Sequence, residues 1–460
     1  MKKFWRLFTR FWLWYRTLRP VYVLAIGYLL YVLLIFALLH WPICWKVADV
    51  PLIDSFFTAV AAVSTAGMQT VNFAETYNTL GQVIVLVGIQ ISALGYMTLG
   101  SLVILASKGH LSKKRLKIGQ AVLGMPESFE PLRFFRHIAV YTLSVELIGA
   151  LVLWGCFLSA GIPRPLWSAI FHAVTAFCTA GFSVFPNSLE AFSDNAAVGL
   201  TISLLCLLGG IGFIVMEDLC RSIKSKHLQT TLTTRIILVA TFGSVLVGTC
   251  FLFFDPVISE FSLKKRILTA FFQAVSVLTT AGFTTLPINN LSAATLVIVI
   301  VLMILGPSPS GTGGGLKNTT WSAAIASVLS FFRGREEITF FNCTVPHSRT
   351  TAAFASITLY MVTFAVGTYF LLLFDSHPFE QVVFEVASAL GTAGVSHGIT
   401  SELSSTGKII IMLLMFIGRL GIMSLALGAI ALYHDILHDP LQQAADAAAP
   451  PLTKEDDIVL

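Results

Sequence analysis

The tripeptide Thr-Ala-Gly occurs four times in this 460-residue chain, and each copy has a phenylalanine ten residues before its glycine. The copies begin at Thr65, Thr179, Thr280 and Thr392, and their glycines are 114, 101 and 112 residues apart. Glycine permits backbone conformations that aim carbonyl groups inward, and rings of carbonyl oxygens can replace the hydration shell of a cation. The repeated tripeptide therefore predicts a cation filter made of backbone oxygens.

Each predicted filter segment consists of the tripeptide and the residue after it. The segments are Thr65, Ala66, Gly67, Met68; Thr179, Ala180, Gly181, Phe182; Thr280, Ala281, Gly282, Phe283; and Thr392, Ala393, Gly394, Val395. The residue before each copy is small, which leaves room for four segments around one axis. A single copy would be better explained as a packing motif between apolar helices, but four copies in matching positions favour the filter.

The elements around each copy follow one pattern. Each tripeptide ends an apolar stretch too short to cross a bilayer, and each short stretch lies between longer ones. The chain is 56% hydrophobic and 12% charged, with a mean hydropathy of +0.82. We predict an all-α polytopic membrane protein with four repeats of membrane helix, pore helix with filter loop, and membrane helix around one central pore. That gives eight transmembrane helices and four re-entrant pore segments.

The repeat boundaries follow from the apolar runs. We expect repeats at 20–106, 135–220, 232–332 and 350–434, with a gating loop at 306–318 inside the third. A basic segment at 1–19 should lie on the cytoplasmic membrane surface without a cleavable signal, and the tail at 435–460 should be disordered.

The basic residues predict the orientation. Of the 29 lysines and arginines, 21 lie on the side of the N-terminus. The positive-inside rule then places both termini in the cytoplasm. The opposite side carries many acidic residues, which would concentrate cations in an outer vestibule, although each one taken singly is better explained as a solvated loop charge.

The inner helix of the third repeat is interrupted by a stretch rich in glycine and proline. Its glycines are Gly306, Gly311, Gly313, Gly314 and Gly315. Such a stretch cannot continue a helix, and irregular backbone at membrane depth must be buried in protein or line a water-filled cavity. We interpret it as an intramembrane gate that its small side chains leave loosely packed. The alternative is a plain cytoplasmic turn.

Three charged residues fall within apolar stretches. Arg419 lies half way along the last one, where a charge is costly; it could donate to carbonyls of the interrupted stretch, or it could be a snorkelling residue near the interface. Lys317 could belong to the gate or simply begin a cytoplasmic helix. For Glu146, the sequence leaves open a buried structural pair and a role in the ion path.

Other functional classes find little support. The spans show no paired carboxylates, Ser/His arrangement or metal cluster, and His172 stands alone near a filter segment, so we expect no enzyme. The net charge of +5 comes from basic residues flanking apolar spans and predicts no nucleic-acid binding. A secondary transporter of organic substrates would show paired broken helices in two halves. A non-transporting membrane scaffold would not need four re-entrant segments.

With four such glycines, the chain resembles the Trk/Ktr/HKT superfamily of potassium-translocating subunits. Gly67, Gly181, Gly282 and Gly394 match the family's filter glycines, and the resemblance covers residues from about 20 to 434. It is closer to the KtrB-type bacterial subunits, because the two extra N-terminal helices of Trk-type subunits are missing. Sodium-preferring plant members often have serine at the first position, so Gly67 favours potassium. The alanine before each glycine departs from a frequent family pattern.

The resemblance implies potassium uptake across the bacterial cytoplasmic membrane, with K⁺ as transported ion and no covalent cofactor. It also implies a homodimer in membrane lipid, an arginine matching Arg419 that contacts the gating loop, and a cytosolic nucleotide-binding regulatory ring of the RCK/KTN type. We expect that ring to dock on the segments 107–136 and 217–235. The sequence leaves open whether flux is channel-like or coupled to Na⁺ or H⁺. It also leaves open a less selective Na⁺/K⁺ translocator of the same fold.

Overall fold

In a computed structural model, most of the described residues lie in helices. The structure describes residues 20–106, 131–224, 230–335, 337–341, 343–345 and 347–421. The predicted surface segment at 1–19, most of the linker at 107–136 and the tail at 435–460 lie outside the described residues.

The first half of the chain forms two groups of helices. The first group contains α1 (Pro20–Leu39), α2 (Leu52–Val63), α3 (Phe73–Thr76) and α4 (Thr79–Ala106). The second group contains α5 (Pro131–Ser159), α6 (Pro165–Phe177), α7 (Ala196–Ile211) and α8 (Phe213–Lys224).

The second half of the chain repeats this arrangement. The third group contains α9 (Leu232–Phe253), α10 (Pro256–Ser259), α11 (Leu263–Leu278), α12 (Ala293–Leu305) and α13 (Asn318–Phe332). An antiparallel hairpin of β1 (Thr339–Phe340) and β2 (Cys343–Thr344) precedes α14 (His347–Phe374), α15 (Phe379–Gly391) and α16 (Ser405–Leu420). Single 3-10 turns occur at Pro42–Cys44, Glu190–Phe192 and Ile288–Asn290.

The third and fourth groups share a side-chain cap that fixes the start of the inner helix. Asp255 accepts from the backbone N of Ser292 at 3.0 Å and from its hydroxyl at 2.9 Å. Asp375 binds Ser404 in the same way, at 2.8 and 3.0 Å. Burial opposes ionisation of Asp255, but hydrogen bonds from Thr295 and Ser292 outweigh it and lower the pKa of its carboxyl group. The shared cap is a further sign of internal repetition.

The outside of the helix assembly is apolar and the inside contains many polar groups. By length and hydropathy, three of the described helices can cross a membrane: Arg136–Ser159, Leu232–Phe253 and Arg349–Phe374. Exposed leucines such as Leu143, Leu147 and Leu246 lie on these helices. Shorter apolar helices such as α7 and α12 end at breaks described below. This distribution is typical of a protein surrounded by lipid.

The four short helices α2, α6, α11 and α15 lie in the interior. Their phenylalanines Phe57, Phe171, Phe272 and Phe384 are no more than 1% exposed. Most residues of one hydrophobic core come from the first and fourth groups and most of the other from the second and third, although Phe171 packs in the first core and Phe384 in the second. In each group, the buried phenylalanine ten residues before the glycine therefore anchors the short helix in the core.

One buried ion pair ties the fourth group to the first. Lys408 in α16 lies 2.7 Å from Asp54 in the first turn of α2, and their side chains are 12% and 8% exposed. A carboxylate is also favourable there because the N-terminus of a helix carries partial positive charge. Removing one partner of a buried pair leaves the other charge uncompensated.

We therefore expect Lys408→Met to destabilise the protein by on the order of 3 kcal/mol. The measurement is thermal unfolding of the detergent-solubilised protein, with Lys264→Met as the control because Lys264 is exposed. The double variant Asp54→Asn with Lys408→Met should recover much of the loss. Equal unfolding temperatures for Lys408→Met and the control would show that the pair does not hold these helices together.

Candidate functional site

All four short helices end in the same hydrogen-bonded turn. In the first, the backbone N of Thr65 donates to Ala62 O at 3.1 Å and that of Ala66 to Ala61 O at 2.9 Å. The other three copies have the same pair of bonds: Thr179 to Ala176 and Ala180 to Thr175, Thr280 to Val277 and Ala281 to Ser276, and Thr392 to Ala389 and Ala393 to Ser388. This is the Schellman arrangement, in which the residue after the helix is left-handed and usually glycine.

Here that left-handed residue is threonine. The φ angles of Thr65, Thr179, Thr280 and Thr392 are 50°, 50°, 57° and 51°. A β-branched residue in this region is strained, and such strain persists only where the surroundings over-determine it. Each threonine is followed by an alanine with negative φ and then by the glycine, whose φ lies between 66° and 80°. The backbone thus turns with the same alternation in all four copies.

The four glycines form a closed ring in chain order. A Cβ atom on Gly67 would collide with the carbonyl oxygen of Ala180, and one on Gly181 with that of Ala281. Likewise, a Cβ on Gly282 would meet Ala393 O, and one on Gly394 would meet Ala66 O. Each segment therefore packs its glycine against the carbonyl of the next, and the fourth closes on the first. Both the positive φ and this contact require glycine.

The residues after the glycines turn their side chains into the protein. Met68 and Val395 are 1% exposed, and Phe182 and Phe283 are 0% exposed. All sixteen residues of the predicted segments come together at this ring, where backbone groups meet backbone groups. Within the described residues, no cluster of three or more His, Cys, Asp or Glu could hold a metal ion.

The interrupted stretch of the third group lies directly against the threonines of the Thr-Ala-Gly segments. The hydroxyls of Thr312 and Thr179 share a hydrogen bond at 3.0 Å, and the backbone N of Gly314 donates to Thr280 Oγ1 at 3.2 Å. A Cβ on Gly314 would collide with the side chain of Thr392. The stretch therefore contacts three of the four segments, which places it against one mouth of the ring.

The expectation that this stretch is loosely packed is wrong. The backbone N of Ser308 donates to Gly210 O at 3.1 Å, and that of Thr312 donates to Gly209 O at 3.2 Å. Gly306, Gly311 and most of the stretch between them are buried. Small side chains allow backbone to approach backbone, and main-chain hydrogen bonds replace the side-chain packing that the stretch lacks.

Two cations bind the carbonyls of the stretch. Lys317 Nζ donates to Gly313 O at 2.5 Å and to Gly314 O at 3.3 Å. Arg419, only 5% exposed, donates through Nη1 to Thr312 O and through Nη2 to Ser92 O at 3.3 Å. Lys317 also occupies the N-cap position directly before α13. Arg419 does not snorkel to an interface, because its guanidinium group joins the stretch to α4.

Two further helix breaks were not predicted from the sequence. Gly212 separates α7 from α8 with a φ of 94°, and Gly421 ends α16 with a φ of 81°. Gly306, at the start of the interrupted stretch, has a φ of 58°. The inner helices of the second and fourth groups therefore end at a glycine, as that of the third group does at Gly306. The signal available in the sequence was a leucine or isoleucine followed by glycine at all three points: Ile211-Gly212, Leu305-Gly306 and Leu420-Gly421.

Glu146 has partners from two other elements. Its Oε2 accepts from Gln90 Nε2 at 3.0 Å, and its Oε1 lies 3.8 Å from Cys178 Sγ as acceptor. Cys178 directly precedes Thr179 of the second Thr-Ala-Gly segment. The carboxyl group therefore lies at the contact between α4 and α5, one residue behind the ring rather than in it.

Apolar outer helices around a buried ring of irregular backbone define an integral membrane protein of the transporter class. The chain belongs to the TrkH family of cation transport proteins, whose profile matches residues 39–436. This confirms the resemblance predicted from the repeated tripeptide. It also confirms that the chain is a transport protein rather than an enzyme.

Individual relatives match over most of their length. The chain is 32% identical to the Ktr system potassium uptake protein B of Bacillus subtilis, over 87% of this chain and 91% of the relative. It is 31% identical to the potassium/sodium uptake protein NtpJ of Enterococcus hirae, over 89% of this chain and 92% of the relative. The crystal structure of the potassium transporter TrkH from Vibrio parahaemolyticus has the same fold, with a TM-score of 0.69, 19% identity, and coverage of 88% of this chain and 84% of that chain.

The helix break at Gly212 generates a stability prediction. A Cβ there would collide with Ser310 and meet Gly311 N at 2.8 Å, and the φ of 94° disfavours any other residue. We expect Gly212→Ala to destabilise the protein by at least about 2 kcal/mol. Gly243→Ala is the matched control, because Gly243 is helical and has no atom within 4 Å of the added methyl. The measurement is the thermal unfolding temperature in detergent. Equal unfolding temperatures for the two variants would show that Gly212 does not support the interrupted stretch.

Proposed function

We propose that the protein is the potassium-translocating membrane subunit of an uptake system, and that it passes dehydrated K⁺ through the ring of Thr-Ala-Gly carbonyls. The observation that carries the proposal is that the four segments form a closed ring, in which each glycine packs against the alanine carbonyl of the next segment. The relatives named above as potassium uptake proteins support the choice of ion.

The ring's chemistry suits a monovalent cation without a tight hydration shell. The C-terminal ends of α2, α6, α11 and α15 all point at the ring, and the C-terminus of a helix carries partial negative charge. Carbonyl oxygens can then replace water around the ion. Since Met68, Phe182, Phe283 and Val395 are buried, main-chain oxygens rather than side chains would set the size of the site.

The finer architecture belongs to the same proposal. Four repeats surround one pore, with eight transmembrane crossings and four re-entrant segments, and both termini face the cytoplasm of a bacterial cell. Arginine and lysine placement supports this orientation. On this reading the interrupted stretch lies on the cytoplasmic side of the filter.

The interrupted stretch and Arg419 form the gate of the proposed pore. The stretch touches filter threonines from three segments, so an ion leaving the ring meets it directly. Lys317 and Arg419 hold its carbonyls and add positive charge beside the path. The two main-chain bonds from the stretch to Gly209 and Gly210 favour the closed position.

Partners and ion coupling rest on the relatives rather than on contacts. We propose a homodimer and a cytosolic nucleotide-binding ring of the RCK/KTN type that docks on 107–136 and 217–235. Coupling to Na⁺, or passage of both K⁺ and Na⁺, is the second candidate, because one relative is named a potassium/sodium uptake protein.

Uptake of ⁸⁶Rb⁺ into proteoliposomes tests the proposal. The purified protein should accumulate ⁸⁶Rb⁺ down an imposed gradient, and external K⁺ should compete more strongly than Na⁺. Parallel reactions with and without Na⁺ distinguish coupled from uncoupled flux. Liposomes that take up no more tracer than protein-free controls would contradict the proposed function.

The filter glycines should determine ion preference. We expect Gly67→Ser and Gly282→Ser each to reduce the preference for K⁺ over Na⁺ by about tenfold, which corresponds to roughly 1.4 kcal/mol. The reason is that the new side chain displaces the neighbouring carbonyl from the ring. Gly155→Ser is the control, since Gly155 has open space around it. Competition by K⁺ and Na⁺ against ⁸⁶Rb⁺ uptake measures the preference, and unchanged ratios in both variants would mean that the ring is not the filter.

Arg419 should restrain the gate. We expect Arg419→Ala to raise maximal K⁺ uptake by about tenfold, because charge-assisted hydrogen bonds contribute about 1.5–3 kcal/mol each and because the variant removes a positive charge beside the path. Arg419→Lys should restore the restraint only in part, since an ammonium group lacks the planar set of donors. The exposed Arg333→Ala serves as control. A maximal rate at or below that of the wild type, in folded protein at equal expression, would identify Arg419 as a structural anchor only.

A further inference from the structure

The residue directly after each buried phenylalanine occupies an equivalent position on the four short helices, nine residues before the filter glycine. These residues are Thr58, His172, Gln273 and Glu385. All four are at most 3% exposed. They differ in chemistry although the segments that they support are nearly identical in sequence and backbone conformation. The filter ring is therefore supported unequally from behind.

Three of the four side chains bind the chain just beyond their own glycine. His172 Nε2 lies 2.9 Å from Ser183 Oγ, two residues after Gly181. Gln273 Nε2 donates to Thr285 Oγ1 at 3.4 Å. Thr58 instead donates to Asp54 O at 2.8 Å, within its own helix. At this position the first segment therefore has a hydrogen bond within its own helix, whereas His172 and Gln273 each contact a hydroxyl beyond their own glycine.

Glu385 ties the fourth segment far more strongly. Its Oε1 accepts from Ser396 Oγ at 2.5 Å and from the backbone N of His397 at 2.9 Å, and its Oε2 accepts from Thr400 Oγ1 at 2.7 Å. Ser396 Oγ itself accepts from Gly398 N at 2.9 Å, so the serine proton is directed at Glu385. The two carboxyl oxygens together contact three donor groups, and Thr400 Oγ1 also lies 2.9 Å from Ser396 Oγ.

Hydrogen bonds to a carboxylate are about twice as strong as neutral ones, and the surroundings of Glu385 exclude water, because the residue is 0% exposed. The three donors all lie after Gly394, on the limb that leads away from the ring. The three hydrogen bonds anchor that limb and thereby fix where the carbonyls of the fourth segment lie. A ring that cannot contract coordinates K⁺ better than the smaller Na⁺.

We propose that Glu385 is a specificity-determining positioning residue, which holds the fourth filter segment open and thereby favours K⁺ over Na⁺. The inference rests on the proposed function, because it assumes that the ring is the ion filter. A merely structural role would predict a change in folding or in the maximal rate. A positioning role predicts a change in the preference for K⁺ over Na⁺.

The decisive experiment compares Glu385→Gln with Glu380→Gln in the ⁸⁶Rb⁺ competition assay. The glutamine keeps the shape of Glu385 but replaces one acceptor oxygen with a donor that faces other donors. We expect K⁺ over Na⁺ preference to fall about tenfold, with a higher KM for K⁺ and a maximal rate within about twofold of the wild type. Glu380 lies on the same helix, is exposed, and controls for the loss of a negative charge; its variant should retain wild-type preference.

A second pair of variants leaves the short helix untouched. Thr400→Val removes one donor to Glu385 at nearly constant volume, and Thr400→Ser keeps the hydroxyl. We expect Thr400→Val to lower the preference about threefold and Thr400→Ser to match the wild type. If Glu385→Gln fails to reach the membrane, this pair decides.

The outcomes separate the inference from the proposed function. A wild-type protein that shows no K⁺-selective uptake would overturn both. A selective wild type with unchanged preference in Glu385→Gln, or in Thr400→Val if that pair decides, would overturn the role of Glu385 alone. An equal loss of preference in Glu380→Gln would also overturn it, because charge rather than positioning would then be responsible.

Discussion

The left-handed threonine at the end of each short helix is the conformation on which the rest of the structure depends. It lets the chain leave the helix through two backbone hydrogen bonds and then turn away as irregular backbone. Inside a membrane, irregular backbone is tolerated only where protein buries it or water reaches it. The structure meets that demand by packing each glycine against the next segment's alanine carbonyl. Four strained turns that would be unstable singly over-determine one another once the ring is closed.

Glycines also allow irregular backbone to be buried where the interrupted stretch packs against the ring. Gly209 and Gly210 accept main-chain hydrogen bonds from the interrupted stretch, and Gly212 bends the chain around it. Lys317 and the buried Arg419 donate to carbonyl oxygens of that stretch. Such contacts satisfy an otherwise costly charge.

Much of this arrangement could be predicted from the sequence because repetition made it visible. Four copies of Thr-Ala-Gly after short apolar runs indicated the short helices, their ends and the family. The breaks at Gly212 and Gly421 were missed because one glycine in an apolar run costs a helix only about 1 kcal/mol, so the residue alone does not indicate a break. The firm packing of the interrupted stretch was missed because main-chain hydrogen bonds hold it, and such bonds do not depend on a recognisable pattern of side chains in the sequence. The partners of Glu146 lie 56 and 32 residues away in the chain, and the donors to Glu385 carry no motif.

The central claim is that carbonyls from all four segments bind one dehydrated cation, and anomalous scattering from Rb⁺-substituted crystals tests it most directly. The account predicts a Rb⁺ peak on the axis of the ring, within coordination distance of main-chain oxygens from the segments that begin at Thr65, Thr179, Thr280 and Thr392. It also predicts that excess K⁺ abolishes the peak. The absence of a Rb⁺ peak at the ring, or a peak held instead by side-chain carboxylates elsewhere in the protein, would contradict it.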